Sequence, residues 1–461
     1  MNAAPPPPPP APPPPPVPAP SPRLRLDAPA VEAVGTLVAA VNPVLRARLP
    51  EARIGELCAV DRGTDAPPLH AEVIGLAADH AVLMPLGPLT GIPMSAPVRP
   101  LGRPLTVPTG DALRGRVVNG IGQPIDGRGD IAGAHRRLDA PPPPALSRPP
   151  IDRPLVTGVR AIDGLLTLGV GQRVGVFAGA GTGKSTLLGQ LARGAGADRV
   201  VVAMIGERGR EVAEFMADAL GPEGRERAAV VVSTSDEPAL LRLKAAQTAC
   251  TLAEAWRDEG HNVLLLMDSL TRYARALREV GLAAGEPPGR QGYPAGVFAE
   301  LPRLLERAGR TSTGSITGIY TVLAAGDDLT EPVADEAMGL LDGHLVLSRE
   351  LAQRQQYPAI DVLQSKSRVM HRLDRTCLPT QHHELAGRCL EAVASYEANR
   401  KLIAVGRFDT ADDAERARTE AGPRIWSALR QGNVNDTLAE THARLQAAAP
   451  PPDSPAPGPT P

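Results

Sequence analysis

Val170-Gly-Gln-Arg-Val-Gly-Val-Phe-Ala-Gly-Ala-Gly-Thr-Gly-Lys-Ser-Thr-Leu-Leu-Gly-Gln190 is the stretch around which the chain is organised. Val174, Val176 and Phe177 have strand character and run into a glycine-rich turn, and a helical segment opens after it at Leu187-Leu188. Strand, glycine loop and helix start together read as a phosphate-binding loop, a context far more specific than the bare string. Gly179, Ala180, Gly181, Thr182 and Gly183 let backbone N–H groups converge on phosphate oxygens without side chains in the way. The start of the helix at Lys184, Ser185 and Thr186 adds its partial positive charge. In such loops the lysine, here Lys184, reaches the β- and γ-phosphates, and the hydroxyl of the next residue, here Ser185, ligates Mg²⁺. Ala178 stands where the usual pattern begins with glycine; at the end of a strand a methyl group is tolerable there.

Around this loop lies a chain of 461 residues, long enough for about three domains. With 43% hydrophobic residues it can bury sizeable cores, and a net charge of −2 gives neither a basic field for nucleic acid nor an acidic solvating chain. The four cysteines, Cys58, Cys250, Cys377 and Cys389, form no disulfide pattern, which suits a reducing compartment. Cys377, His382, His383 and Cys389 match no common zinc spacing. No apolar run reaches transmembrane length and the first residues are proline-rich rather than signal-like, so a cytoplasmic protein is expected.

Residues 1–23 and 450–461 carry 21 of the 51 prolines and are expected to be disordered tails. From 24 to 98, short β-type runs such as Ala71-Glu-Val-Ile-Gly-Leu76 and Ala81-Val-Leu-Met-Pro-Leu86 are broken by Gly, Pro and Asp, which predicts a small β-barrel. That segment has no basic, aromatic face for RNA. Residues 99–372 hold near-continuous apolar runs, among them Val200–Ile205 and Val263–Met267, alternating with helical stretches. Such runs mark strands buried on both faces of a parallel sheet, hence a doubly wound α/β domain. Residues 373–449 are rich in Ala, Arg and Glu with helical periodicity and predict a helical domain.

Three further stretches carry chemistry. Asp268 closes the strand Val263-Leu-Leu-Leu-Met-Asp268 about 80 residues after the loop, at the sheet edge where a carboxylate can hold Mg²⁺ directly or through water. Glu207, in Gly206-Glu-Arg-Gly-Arg-Glu211, is placed to orient and polarise the attacking water, and Arg208 to pair with phosphate or a carboxylate. Tyr357, before Pro358, can stack on adenine or serve as a core or interface tyrosine. Arg368 ends Asp361-Val-Leu-Gln-Ser-Lys-Ser-Arg368, and ring ATPases use such an arginine from a neighbour.

These stretches, with Met267-Asp-Ser-Leu-Thr-Arg-Tyr-Ala-Arg-Ala276, Arg278-Glu-Val-Gly-Leu-Ala-Ala-Gly-Glu-Pro-Pro288 and Pro358-Ala-Ile-Asp-Val-Leu-Gln-Ser-Lys-Ser367, resemble the catalytic subunits of the rotary ATPase superfamily. Within it they are most similar to the ATPases of type III protein secretion. The resemblance spans about residues 25 to 440. It implies a RecA-like P-loop ATPase core with an N-terminal β-barrel and a C-terminal helical domain, binding ATP and Mg²⁺ at the subunit interfaces of a homohexamer. It implies Glu207 as catalytic carboxylate, Arg368 as a finger acting in trans, and a place at the cytoplasmic face of the inner membrane. The implied partners are stalk and stator proteins and chaperone–effector complexes, with no nucleic acid. The flagellar export ATPase is the alternative, and Gln356, where those proteins usually have histidine, leans away from it. An ATP synthase β subunit would carry an Asp-Glu-Leu-Ser segment absent from this sequence, and a non-hydrolysing subunit would be expected to lack Glu207. The chain departs from the family at Tyr293-Pro-Ala-Gly-Val-Phe298, at Ala325 and around Gly406-Arg-Phe-Asp-Thr-Ala-Asp-Asp413.

Overall fold

The computed structural model describes residues 34–63, 66–324, 330–409 and 412–451. The expected disordered tails, except Pro450 and Pro451, and the departure at Ala325 lie outside the described residues.

Six strands form a closed barrel: β1 (Gly35–Val41), β2 (Val44–Arg48), β3 (Glu56–Val60), β4 (Leu69–Leu76), β5 (Ala81–Pro85) and β6 (Pro97–Pro104), in the order β1-β2-β5-β4-β3-β6. Alternation sends Leu45 and Ala47 inward and Arg46 and Arg48 outward, so each strand gives one row to a core shared with Leu83, Val60, Val73 and Val98. The barrel runs on to Pro104, past the boundary expected at 98. Pro97 pairs with Thr36 of β1, and Pro100 and Pro104 flank the register shift between β6 and β3.

A ribbon of β7 (Thr106–Thr109) and β9 (Ala134–Arg137) follows, while β8 (Val117–Asn119), from the glycine-rich stretch, joins the edge of the main sheet. β10 (Pro154–Leu155) pairs with β11 (Leu168–Gly169) around α1 (Arg160–Leu165). The main sheet then takes β12 (Arg173–Ala178), β13 (Arg199–Glu207), β14 (Ala228–Thr234), β15 (Asn262–Asp268), β16 (Gly309–Arg310), β17 (Ser315–Leu323), β18 (Gly343–Leu347) and β19 (Ile360–Ser367). Its order is β19-β18-β12-β17-β15-β13-β14-β8, with β16 paired to β17. From β18 to β8 the neighbours run parallel, and β19 runs against β18. Along β13, Val200, Val202 and Met204 enter one core while Val201, Ala203 and Ile205 enter the other, which is why the run is apolar without alternation.

Helices cover both faces. They are α2 (Lys184–Gly194), α3 (Gly209–Glu214), α4 (Gly221–Arg227), α5 (Ala239–Asp258), α6 (Leu270–Ala284), α7 (Ala295–Leu305), α8 (Pro332–Leu340) and α9 (Arg349–Gln353). The core of α5 to α8 also takes Leu57 and Met84 from the barrel, and Lys244 Nζ on α5 meets Glu72 Oε2 of β4 at 2.6 Å across that junction. The C-terminal helices α10 (His382–Ala404), α11 (Asp413–Leu429) and α12 (Leu438–Ala448) form the expected helical region. They have no separate core: Leu385, Val393, Ile425 and Leu445 pack into the cluster on the opposite sheet face, with α1 and α2. Arg160 on α1 clamps this region, bonding Asp436 at 2.7 Å and the carbonyls of Ala428 and Arg430.

Candidate nucleotide site

The phosphate loop leaves the C-terminal end of β12 at Ala178, whose methyl group is buried at the strand end. Gly183 has φ +87°, where only glycine sits without strain, and a Cβ there would lie 3.5 Å from the Tyr357 ring. Thr182 Oγ1 donates to the Gly179 carbonyl at 2.9 Å and holds the turn closed. Helix α2 starts at Lys184 with no side chain capping it, and Ser185 and Thr186 are exposed in its first turn. The N–H groups of that turn have no intrahelical acceptor, as an anion site requires.

Sheet order brings the carboxylates to the loop. β15 lies one strand beyond β17, and β13 lies next to it, with Met204 in register with Asp268. Asp268 is 2% exposed; its Oδ1 accepts from Lys184 Nζ at 2.5 Å and from Thr321 Oγ1 of β17 at 2.6 Å. Glu207, also 2% exposed, takes a bidentate pair from Arg272 at 3.0 Å on each oxygen and lies 3.5 Å from Lys184 Nζ. Gly206 makes the approach possible: its φ is +66°, and a Cβ would come within 3.0 Å of the Arg272 chain. Burial lifts the Glu207 carboxyl above the ordinary glutamate range; Lys184 and Arg272 oppose the shift, and a hydrogen bond with Glu211 reinforces it. Together these groups line a cleft of about 520 Å³.

The structure therefore brings Lys184, Ser185, Glu207 and Asp268 together with the loop. Arg208 is at the rim with its side chain 73% exposed, paired to Glu211 at 3.2 Å. Tyr357 lies beside the loop, its ring next to Gly183; its carbonyl accepts from Gln431 N at 2.7 Å, so the helical region positions it. Arg368 is not in this cleft. It follows β19, whose Ser367 pairs with Gly343 at the start of β18, and its backbone N–H donates to Asp342, itself bonded to Arg173 at the start of β12. Five strand steps separate Arg173 from Ala178, about 17 Å, so Arg368 occupies the opposite edge of the sheet from its own phosphate loop.

Sequence reasoning missed Arg272, which holds Glu207, and Thr321, which holds Asp268. Arg272 had a readable signal: it sits four residues after a strand-end aspartate, in the first turn of a helix that Ser269 caps by accepting from Arg272 N. Thr321 had none, because a threonine inside an apolar strand reads as a core residue. Arg275, one turn beyond Arg272, also lines the cleft. Cys377 is exposed while Cys389 and His382 are buried, the latter against Thr167 Oγ1 at 2.8 Å. Among the described residues no group of three or more His, Cys, Asp or Glu could hold a metal ion.

A parallel sheet with a phosphate loop at one strand end, a strand-end aspartate meeting the loop lysine and a buried glutamate beside them defines a P-loop ATPase of the RecA-like class. The chain belongs to the ATP synthase alpha/beta family. Residues 158–367 match its nucleotide-binding domain and residues 37–102 its beta-barrel domain. It is 50% identical over 381 residues to a type 3 secretion system ATPase of Xanthomonas euvesicatoria, covering 82% of this chain and 85% of the relative. It is 49% identical over 397 residues to the flagellum-specific ATP synthase of Treponema pallidum, covering 86% and 88%. Among solved structures, the assembled ATPase EscN of the enteropathogenic E. coli type III secretion system superposes with a TM-score of 0.84 at 44% identity, covering 90% of this chain and 99% of that one. EscN in complex with its central stalk EscO gives a TM-score of 0.82 at the same identity, covering 90% and 99%. The chain is thus an ATPase of the export branch of this family, with the fold the resemblance implied. Among the described residues no helix is long and apolar enough to cross a membrane.

Proposed function

We propose that the chain hydrolyses ATP as one subunit of a homohexamer that energises protein export through a type III secretion apparatus, and that each site is completed by Arg368 of the neighbouring subunit. The observation that carries the ring is the position of Arg368: about 17 Å of strand separates it from its own loop, so a phosphate it contacts must belong to another copy. The similarity to EscN, solved as an assembled ATPase and with a central stalk, supports the same reading and a stalk partner here. Stator proteins and chaperone–effector complexes are the further partners, at the cytoplasmic face of the inner membrane.

The residues fit magnesium: Ser185 offers an exposed hydroxyl and Asp268 a hard carboxylate oxygen in the same cleft. Ser185 would hold the ion directly and Asp268 directly or through water, and the ion would supply charge neutralisation to the triphosphate. Lys184 exchanges Asp268 for phosphate oxygens, and the loop N–H groups cradle them. Glu207, held by Arg272, accepts the proton of the attacking water at a carboxylate oxygen. Tyr357 stacks on adenine, and Arg208 at the rim adds positive charge near the phosphates.

Mixing Lys184→Ala with Arg368→Ala chains tests the shared site. Each is inactive alone, and mixed rings regain part of the turnover through interfaces that unite an intact loop with an intact arginine; no regain in demonstrably mixed hexamers refutes the arrangement. Export itself is tested by complementation. Rescue of effector secretion in a strain lacking its own secretion ATPase supports the proposal, and rescue of motility alone in a flagellar-ATPase mutant assigns the chain to the sister machine.

A further inference from the structure

Strand β12 carries the phosphate loop at its C-terminal end, and the residues at its other end hold the chain around Arg368. Gln172, the residue before β12, is fully buried, and both of its amide protons are used. Nε2 donates to the Asp342 carbonyl at 3.0 Å and to Ser367 Oγ at 3.3 Å, while Oε1 accepts from Gly169 N at 2.8 Å. Its backbone is fixed as well, the N–H donating to the Gly169 carbonyl at 3.1 Å and the carbonyl accepting from Gly318 N at 3.0 Å. A buried amide is penalised for every donor left without an acceptor, so this set of partners favours one geometry. The two groups that Nε2 reaches are the immediate supports of Arg368. The Asp342 carbonyl also accepts the Arg368 N–H at 3.0 Å, and Ser367 is the preceding residue, its Oγ donating to the Thr167 carbonyl at 2.9 Å. Arg173 secures the rest of Asp342. Its N and Nε both donate to Oδ2 at 3.0 Å and its Nη2 to Oδ1 at 3.2 Å, and its carbonyl accepts from Asp342 N at 2.8 Å.

We infer that Gln172, supported by Arg173, is a positioning residue for the arginine finger: it fixes the segment at Ser367 and at the Arg368 N–H, and so sets where the guanidinium meets the neighbouring subunit's nucleotide. The inference rests on the proposed trans role of Arg368. That side chain is exposed and its guanidinium bonds the Met338 carbonyl at 3.0 Å, so its aim depends on where its backbone is held. An arginine finger supplies about 10³- to 10⁵-fold in turnover, and a misplacement of about 1 Å forfeits about 10²-fold. Gln172 lies about 20 Å of strand from Ala178, where its own phosphate loop begins. Its side chain therefore serves the next site in the ring, whereas the strand it precedes serves its own.

Gln172→Met keeps the volume and removes both donors. In the full chain it is expected to lower kcat at least about tenfold while the affinity for Mg–ATP measured by calorimetry stays within about twofold. Mixed rings then show which half of the site is damaged. With Lys184→Ala chains, Gln172→Met chains should regain turnover, because interfaces form between an intact loop and a native arginine. With Arg368→Ala chains they should gain nothing above the Gln172→Met level. Damage travelling along β12 to the phosphate loop gives the reverse pattern, with rescue by Arg368→Ala, and overturns the inference, as does unchanged kcat. Ser367→Ala, which removes a bridging hydroxyl without touching β12, is expected to sort in the same way with a smaller loss, and it decides the matter if Gln172→Met does not fold. Failure of Lys184→Ala and Arg368→Ala chains to complement each other overturns the shared site, and the role of Gln172 with it.

Discussion

Replacing Glu207 with glutamine removes one charge and almost no volume, and the surroundings of that carboxylate determine the consequences. Its oxygens lie 3.0 Å from Arg272 and 3.5 Å from Lys184 in a site that is 2% exposed. At an effective dielectric near 20, a pair at that separation has a gross attraction of about 5 kcal/mol, so the carboxylate keeps two cations largely neutralised. Without it both cations turn to the triphosphate, and ATP should bind as well as before or more tightly. Hydrolysis should respond in the opposite direction. A positioned base supplies about 10²- to 10⁴-fold, or roughly 3–5 kcal/mol of barrier, and the amide cannot take the proton. Steady-state phosphate release and equilibrium ATP titration on the same preparation separate the two effects. Turnover within about twofold of the parent, or a loss of rate matched by a loss of affinity, would refute the assignment of Glu207 as the base.

Because burial raises the Glu207 carboxyl, and the base works only when deprotonated, kcat should climb with pH through a midpoint above the usual glutamate value; a limb at or below that value contradicts the geometry. Tyr357→Ala should raise the dissociation constant for ATP about tenfold with kcat little changed, and Tyr357→Phe should restore binding; equal affinities in all three chains would remove the tyrosine from the base site. Arg307→Met leaves Glu254 charged and buried without the bidentate partner it holds at 2.7 Å, a cost of about 3–5 kcal/mol, visible as a drop of several degrees in the thermal midpoint. An unshifted midpoint would mean that Glu254 has found another partner.

The elements legible in the sequence were those whose physics is local. Val200–Ile205 and Val263–Met267 are apolar because both sheet faces are covered, and they form β13 and β15 as their composition predicts. The phosphate loop is legible for the same reason, since glycine, lysine and hydroxyl must be contiguous to wrap one phosphate. The end of β6 was less legible, because Pro100 and Pro104 interrupt its pattern and only the closed barrel shows them flanking a register shift against β3. The C-terminal helices were legible as helices, but their shared core with α1 and α2 depends on contacts such as Arg160 with Asp436, 276 residues apart.

The same division separates what the site residues reveal. Asp268 and Glu207 stand at strand ends, where position alone suggests a role, whereas Arg272 and Thr321 act by holding those two and their identity emerges only when three strands are laid side by side. Arg368 gains its meaning from distance rather than contact. In one chain it is an exposed arginine bonded to a helix carbonyl, and the antiparallel turn of β19 explains why it is there. Had β19 run parallel to β18, its end would lie at the phosphate-loop edge and the arginine could complete its own site. Reversing that one strand sends it to the other edge, so a complete site would need a second subunit.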